Sequence, residues 1–231
     1  MRICMVTHYG KPHIGGIETV SLEEARRLAQ DGHAVTIVTS RAPGQAAEEN
    51  IEGVRIRRVK AFNFLERRLG VPYPLFSPDL IQVLAEELDH ADVCIVHGFV
   101  FQSSLAAAWM CRRAKVPYVI YQSNTFINYT NPVLNLVQRL NDQLFGKSTL
   151  SHAAYSFAIS AETRNYMKSL TTRDVHVLYS AVDHLRFAPH GSRRELRGAL
   201  GLPVDKFIVL TVRRLVFKNS VDTFVATANL L

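Results

Sequence analysis

Met1-Arg2-Ile3-Cys4-Met5-Val6-Thr7 runs into His8-Tyr9-Gly10-Lys11-Pro12-His13-Ile14-Gly15-Gly16-Ile17-Glu18, and a helical stretch follows that ends at Asp31-Gly32. The opening run is apolar and β-prone. The loop after it carries two adjacent glycines, and Gly32 stands where a left-handed helix cap belongs, just before the next apolar run. That strand, loop, helix and strand order is the unit from which a parallel sheet is built. It then repeats. Further apolar, β-branched or aromatic runs over residues 34–39, 54–59, 92–97, 118–122, 154–159 and 176–179 are bounded by Gly, Pro, Asn or Ser and read as strands. Helices fill most of the gaps. Ser77-Pro78-Asp79 reads as an N-cap, a first-turn proline and an early acid ahead of Leu80, Ile81, Leu84 and Leu88. Asn131-Pro132 opens another helix, with Leu136, Leu140 and Leu144 at a spacing of four.

Buried-looking strands alternating with helices predict an α/β fold, a Rossmann-like parallel sheet with helices on both faces. In such sheets ligands lie beyond the carboxyl ends of the strands, so the loop after each strand is where chemistry is expected. The pattern changes near Pro189. His190-Gly191 reads as a hinge, Ser192…Glu195 as a capping box, and Gly201-Leu202-Pro203 as the end of a short helix. A strand over 207–212 and a helix over 221–231, with Val221, Phe224, Val225 and Ala228 as its apolar stripe, then look like the first piece of a second domain. The division expected is 1–189 and 190–231.

Composition agrees with a packed domain: 231 residues, 48% hydrophobic and 20% charged, which excludes disordered and low-complexity classes. No run reaches the roughly 20 apolar residues of a membrane span. The chain enters a strand at once, which leaves no room for a signal peptide, and Cys4, Cys94 and Cys111 sit in apolar stretches without CxxC. They read as buried thiols of a cytoplasmic protein. The net charge is +7, in clusters too short for a nucleic-acid arm.

The first loop is neither a Walker loop nor GxGxxG, since Gly16 and Ile17 stand where a Walker loop has Lys and Ser/Thr. Gly15 and Gly16 at a helix start still let backbone N–H groups approach a phosphate or a sugar hydroxyl. His97 ends the fourth apolar run, and Gln122-Ser123-Asn124-Thr125 ends the fifth; both bring polar groups to the sheet edge. Arg213, Arg214 and Lys218 follow the strand expected over 207–212 and suit a departing diphosphate. Nine histidines show no HxxxH spacing, and Asp-x-Asp does not occur, so no metal site is expected.

In order, Gly15-Gly16-Ile17-Glu18, Asp31-Gly32-His33-Ala34-Val35-Thr36, Gly70-Val71-Pro72-Tyr73-Pro74, Val96-His97-Gly98, Asn124-Thr125-Phe126, Leu178-Tyr179-Ser180-Ala181-Val182-Asp183 and Arg213-Arg214-Leu215-Val216 resemble a bacterial family 4 glycosyltransferase of the two-domain glycosyltransferase B fold. The resemblance runs from Met1 to Leu231. It implies an N-terminal acceptor domain, a C-terminal domain for the nucleotide-sugar donor, and metal-independent transfer with retention at the anomeric carbon. It implies that Gly15 and Gly16 face the donor diphosphate and acceptor, that His97, Ser123 and Asn124 lie on the acceptor side, and that Arg214 and Lys218 neutralise the leaving diphosphate. No cofactor is implied, and no general base is named, because the leaving phosphate is itself able to take the acceptor proton.

The chain departs from the family pattern at four places. Ser123 stands where many relatives have histidine, Asn219 falls where the second basic residue is usual, and Ser180-Ala181 replaces Asn-Gly. The Glu-x7-Glu that grips the donor sugar has no counterpart before the chain ends. The isolated chain is therefore expected to be inactive, with a loosely ordered second unit. A non-catalytic acceptor- or partner-binding module and a sugar-nucleotide epimerase are the alternative functions. A carbohydrate or lipid-linked acceptor is expected; for the latter, Arg57, Arg58, Arg67 and Arg68 would hold the protein at the inner face of an anionic membrane.

Overall fold

The computed structural model describes residues 1–185, 187–188, 193–212 and 221–228. Its elements in order are β1 (Arg2–Val6), α1 (Gly16–Gln30), β2 (Ala34–Arg41), β3 (Glu48–Ile51), β4 (Val54–Phe62), α2 (Phe64–Leu69), β5 (Leu75–Phe76), α3 (Asp79–Leu88) and β6 (Val93–His97). There follow α4 (Gln102–Ala114), β7 (Tyr118–Gln122), α5 (Pro132–Asn141), a π-helical turn (Asp142–Gly146), α6 (Lys147–His152), β8 (Tyr155–Ala158), α7 (Ala161–Lys168), β9 (His176–Val177), α8 (Arg193–Ala199) and α9 (Val221–Ala228). The chain divides into two compact units, Met1–Ser180 and Ala181–Leu231.

The first unit is one sheet in the order β3-β4-β2-β1-β6-β7-β8-β9, with β5 also paired to β4. β2, β4, β6, β7, β8 and β9 all run parallel to their neighbours along the path through β1, whereas β3 and β5 pair antiparallel to β4. Alternation along β1 sorts the core. Ile3 and Met5 pack with Leu22 and Ala25 of α1 on one face, and Cys4 and Val6 pack with Leu80 and Leu84 of α3 and Cys111 of α4 on the other. Both faces are therefore covered, as near-continuous apolar strands require. The strand order reverses between β1 and β6, so the two loops leaving their carboxyl ends part there and open a crevice.

Local chemistry accounts for the helix ends. Gly32 takes φ +86°, and His33 N–H donates to the Leu28 carbonyl at 3.0 Å, closing α1. Asn131 Oδ1 accepts from Val133 N–H at 2.9 Å with Pro132 in the first turn. Ser77 behaves differently from the expected N-cap: its hydroxyl donates to Asp79 Oδ2 at 3.0 Å, and no side chain caps α3. Pro78, not Ser77, is the residue that flanks the first turn of α3.

In the second unit α8 and α9 form, and Gly201 at φ +65° ends α8. The strand expected over 207–212 does not form. Those residues make no ladder, and Phe207 and Val212 are almost fully exposed; an apolar run needs a neighbouring strand to pair its N–H and C=O groups. Residues 189–192 and 229–231, with the expected hinge and the end of the last helix, lie outside the described residues.

A second correction concerns the basic clusters. Arg57 and Arg58 are not free surface cations. Arg57 lies on β4 and donates to Glu86 Oε2 at 2.7 Å and Glu87 Oε1 at 2.9 Å, and Arg58, buried, donates to Glu49 Oε2 at 2.6 Å. β3 and α3 supply these carboxylates, which cancel the charge proposed to attract a membrane. Arg67 and Arg68 on α2 remain exposed.

Candidate functional site

The crevice is built from the loops after β1, β6 and β7. β1 pairs β6 with Val6 opposite Val96, and β6 pairs β7 with His97 opposite Tyr121. The register thus brings Gly15 and Gly16, His97, Ser123 and Asn124 to one sheet edge. Arg214 and Lys218 lie outside the described residues.

His97 is 1% exposed and meets the Tyr121 ring edge-on, with centroids 5.6 Å apart. Its Nε2 is 3.3 Å from Glu24 Oε2 but out of line for a hydrogen bond, so neither ring nitrogen has a hydrogen-bond partner among the described residues. Thr7 Oγ1 and Gln122 Oε1, at the ends of β1 and β7, are likewise buried without partners. Buried polar atoms cost free energy unless paired, and three such side chains stand at the ends of the adjoining strands β1, β6 and β7. Ser123 is half-buried and Asn124 exposed; the Asn124 carbonyl accepts from Gln122 Nε2 at 2.6 Å. Tyr121 OH bonds both the Leu178 carbonyl at 3.2 Å and Ser180 Oγ at 3.1 Å, so Ser180 has a role of its own in tying the chain after β9 to this edge.

Gly98 follows His97 at φ +87°, and a Cβ there would press on the Phe101 ring at 2.8 Å. The turn therefore requires glycine. Phe101 stacks in turn on His8, with ring centroids 3.8 Å apart, and Tyr73 donates to the Val100 carbonyl at 3.1 Å.

The glycine loop leads into α1 and has a polar wall that sequence reasoning missed. His13 Nδ1 lies 2.8 Å from Glu18 Oε1, and its Nε2 lies 3.3 Å from Glu66 Oε1. Tyr9 stacks on His13 at 4.1 Å and donates to Glu66 Oε2 at 2.8 Å. Burial first, then the bond to Glu66, holds the Tyr9 phenol well above its ordinary pKa, so it stays a donor. A Cβ on Gly15 would fall on the Glu18 carboxylate, whereas the space beside Gly16 is open. This wall offers carboxylate acceptors and an imidazole, the partners sugar hydroxyls take. The adjoining crevice between Gly10, Glu18, Thr39 and Arg58 measures about 20 Å³, room for a water and not for a sugar. Among the described residues no group of three His, Cys, Asp or Glu is arranged to hold a metal, and no helix is long and apolar enough to cross a membrane.

A mostly parallel, doubly wound sheet with polar groups gathered at its switch point defines an α/β domain of the Rossmann-like class. The model of Glycosyltransferase Family 4 matches residues 14–186, and the chain belongs to that family. It is 28% identical over 231 residues to a D-inositol 3-phosphate glycosyltransferase of Nocardiopsis dassonvillei, covering 95% of this chain and 53% of the relative. It is 30% identical over 217 residues to D-inositol 3-phosphate glycosyltransferase 1 of Catenulispora acidiphila, covering 87% and 49%. The chain thus spans about half the length of the curated relatives it matches. Among solved structures, Anabaena Alr3699/HepE in complex with UDP-glucose aligns with a TM-score of 0.56 at 17% identity, over 87% of this chain and 50% of that one. The fold is therefore that of the glycosyltransferase B class.

Proposed function

We propose that the chain is the acceptor side of a retaining glycosyltransferase that moves a hexose from a nucleotide sugar to a hydroxyl of a carbohydrate, cyclitol or lipid-linked acceptor. The observation that carries this reading is the carboxyl edge of β1, β6 and β7, where His97, Thr7 and Gln122 hold buried polar atoms without hydrogen-bond partners among the described residues beside the Tyr9, His13, Glu18 and Glu66 wall. Membership of family 4 supports it. The named activity of the relatives points to a phosphorylated cyclitol as the first acceptor to try, and the UDP-glucose complex of the Anabaena protein points to a uridine nucleotide donor.

In this reading the edge binds and orients the acceptor. His97 and the wall hold its hydroxyls, and the open backbone at Gly16 admits both the acceptor and the donor phosphates. Arg214 and Lys218 neutralise the leaving diphosphate, because charge placed where charge develops is the largest catalytic term. The acceptor oxygen bonds to the anomeric carbon, the bond to the diphosphate oxygen breaks, and the leaving phosphate takes the acceptor proton. No metal is invoked, and the protein works in the cytoplasm. The 231 residues by themselves bind the acceptor without turning over.

The test is calorimetric titration of the 231-residue chain with D-inositol 3-phosphate, beside a transfer assay with UDP-glucose. The reading expects binding, its loss in Gly16→Val with the fold intact, and no transfer. Transfer at an ordinary rate, or binding indifferent to Gly16→Val, contradicts it.

A further inference from the structure

A second cavity lies at the amino edge of the sheet, at the other end of the strands from the crevice after β1, β6 and β7. It measures about 280 Å³, near the lower end of small-ligand sites, where the crevice beside Gly10 has about 20 Å³. Three segments close around it: the end of α4 with the turn Lys115-Val116-Pro117, the end of α6 at His152, and the stretch between α7 and β9 at Arg173. Buried Tyr118, the first residue of β7, forms part of the wall, and its hydroxyl donates to the Thr149 carbonyl at 2.7 Å.

The charge of this cavity has one sign. Arg112, Lys115, His152 and Arg173 line it, and no Asp or Glu does. Carboxylates on neighbouring segments are engaged elsewhere: Asp92 accepts from the Arg2 N–H at 2.7 Å, and Asp174 lies 4.0 Å from Lys168. Neither Arg112 nor Lys115 has an ion-pair partner among the described residues. Two of the four are held in place. Arg173 Nη1 donates to the Ala153 carbonyl at 2.8 Å, and His152 Nδ1 donates to the Ser148 carbonyl at 2.8 Å, which leaves Nε2 for a ligand. Burial raises the Tyr118 pKa and the charges of Arg112 and Arg173 partly lower it again, so both guanidinium groups act on one ring of the wall.

Helix ends account for only part of this charge. α4 and α6 both end at the cavity, and cations in a last turn offset the negative end of a helix. Arg112 and Arg113 already stand in the last turn of α4, and His152 in that of α6. Arg173 belongs to neither helix. Lys115 stands just past α4 at φ +58°, in the left-handed region that favours glycine. Just past α1, α2 and α8 the chain has Gly32, Gly70 and Gly201 at positive φ. A lysine in that conformation is strain that the turn itself does not require, and such strain persists where the side chain has a use.

We infer that the cavity lined by Arg112, Lys115, His152 and Arg173 binds a small soluble polyphosphate, an anion of the class of inorganic triphosphate. Three permanent cations in one concave site match an anion with at least as many charges, and the guanidinium forks of Arg112 and Arg173 take phosphate oxygens in pairs. A phosphate monoester carries only about two charges and leaves a cation unpaired. The inference stands on this cavity and does not depend on sugar transfer.

The experiment is calorimetric titration of the 231-residue chain with sodium triphosphate, with backbone amide shifts followed in parallel. Binding should be saturable, should shift residues 111–118, 152–154 and 173, and should weaken as salt is added. It should exceed binding of D-inositol 3-phosphate at this edge by at least about tenfold. Arg112→Gln should weaken triphosphate by about tenfold with the melting temperature kept. Lys115→Gly separates a ligand from a helix cap: it should raise the melting temperature by relieving the backbone and still weaken triphosphate by about tenfold. No binding by the parent chain, shifts confined to other residues, equal affinity for the monoester, or triphosphate affinity unaltered in both variants overturns the proposal. Lipid phosphate is the other source of this chemistry. Capture by phosphatidylglycerol vesicles that Arg112→Gln/Lys115→Gln abolishes, with no response to free triphosphate, overturns it too.

Discussion

Tyr166→Phe removes one oxygen and leaves the ring, with its centroid 5.9 Å from that of Phe99, in place. The lost hydroxyl donates to Asp142 Oδ2 at 2.7 Å, while Oδ1 of the same buried carboxyl already lacks a partner. The substitution therefore strips a buried carboxylate of its last side-chain donor among the described residues. A hydrogen bond to a charged group contributes about 1.5–3 kcal/mol, so a loss near 2 kcal/mol is expected, or roughly 4–8 °C in melting temperature for a domain of this size. The pH dependence has a definite sign. Burial raises the Asp142 pKa, and the Tyr166 bond partly lowers it again. A raised folded-state pKa means the folded chain binds more protons than the unfolded one between the ordinary carboxylate value and the folded value, so stability falls as pH rises through that window. Tyr166→Phe widens the window upward, making the difference from the parent largest near neutral pH and smallest in acid. Calorimetric melting from acid to neutral pH reads both effects. A variant within about 0.5 kcal/mol of the parent at neutral pH, or a difference that grows toward acid, refutes the reasoning.

Three further outcomes follow from the same packing. Gly98→Ala forces a side chain into φ +87° against Phe101, so urea unfolding should show a loss of about 2 kcal/mol; a neutral result would mean the turn relaxes freely. Cys4, Cys94 and Cys111 are all buried, and hydrogen bonds from Cys111 and Cys4, then burial, push the Cys94 thiol well above its ordinary pKa; a thiol reagent should label none of the three before unfolding, because it cannot reach them. Amide exchange should be slow in β1, β2, β6 and β7 and fast over residues 207–212, which make no ladder; protection there would show a strand partner.

The parallel sheet was legible because its central strands are apolar on both faces: Ile3, Cys4, Met5 and Val6 are all buried, and no other element gives such runs. β3 escaped because Glu48-Glu49-Asn50-Ile51 is charged, and it exists only to pair the edge of β4 and to meet Arg55, Arg57 and Arg58. Arg57 and Arg58 looked like free cations because their partners, Glu86, Glu87 and Glu49, come from other elements. The Leu136, Leu140 and Leu144 spacing showed a helix stripe but not its direction: all three are exposed, because Asn141 and Asp142 hold the other side of the helix through bonds to Val100 and Tyr166. At the site, His97 and the glycine loop were visible as residues at strand ends. The Tyr9, His13 and Glu66 contact was not, because Glu66 lies 57 residues from Tyr9 and 53 from His13. Glu18 alone carried a signal, three residues after Gly15 at the start of α1.

The central claim, an acceptor held at the carboxyl edge of β1, β6 and β7, is tested most directly by backbone amide chemical-shift mapping during titration with D-inositol 3-phosphate. The account predicts saturable shifts confined to residues 10–18, 97–99 and 122–125. Shifts confined instead to the opposite edge, around Lys115, Ala153 and Arg173, or no shifts at all, would contradict it.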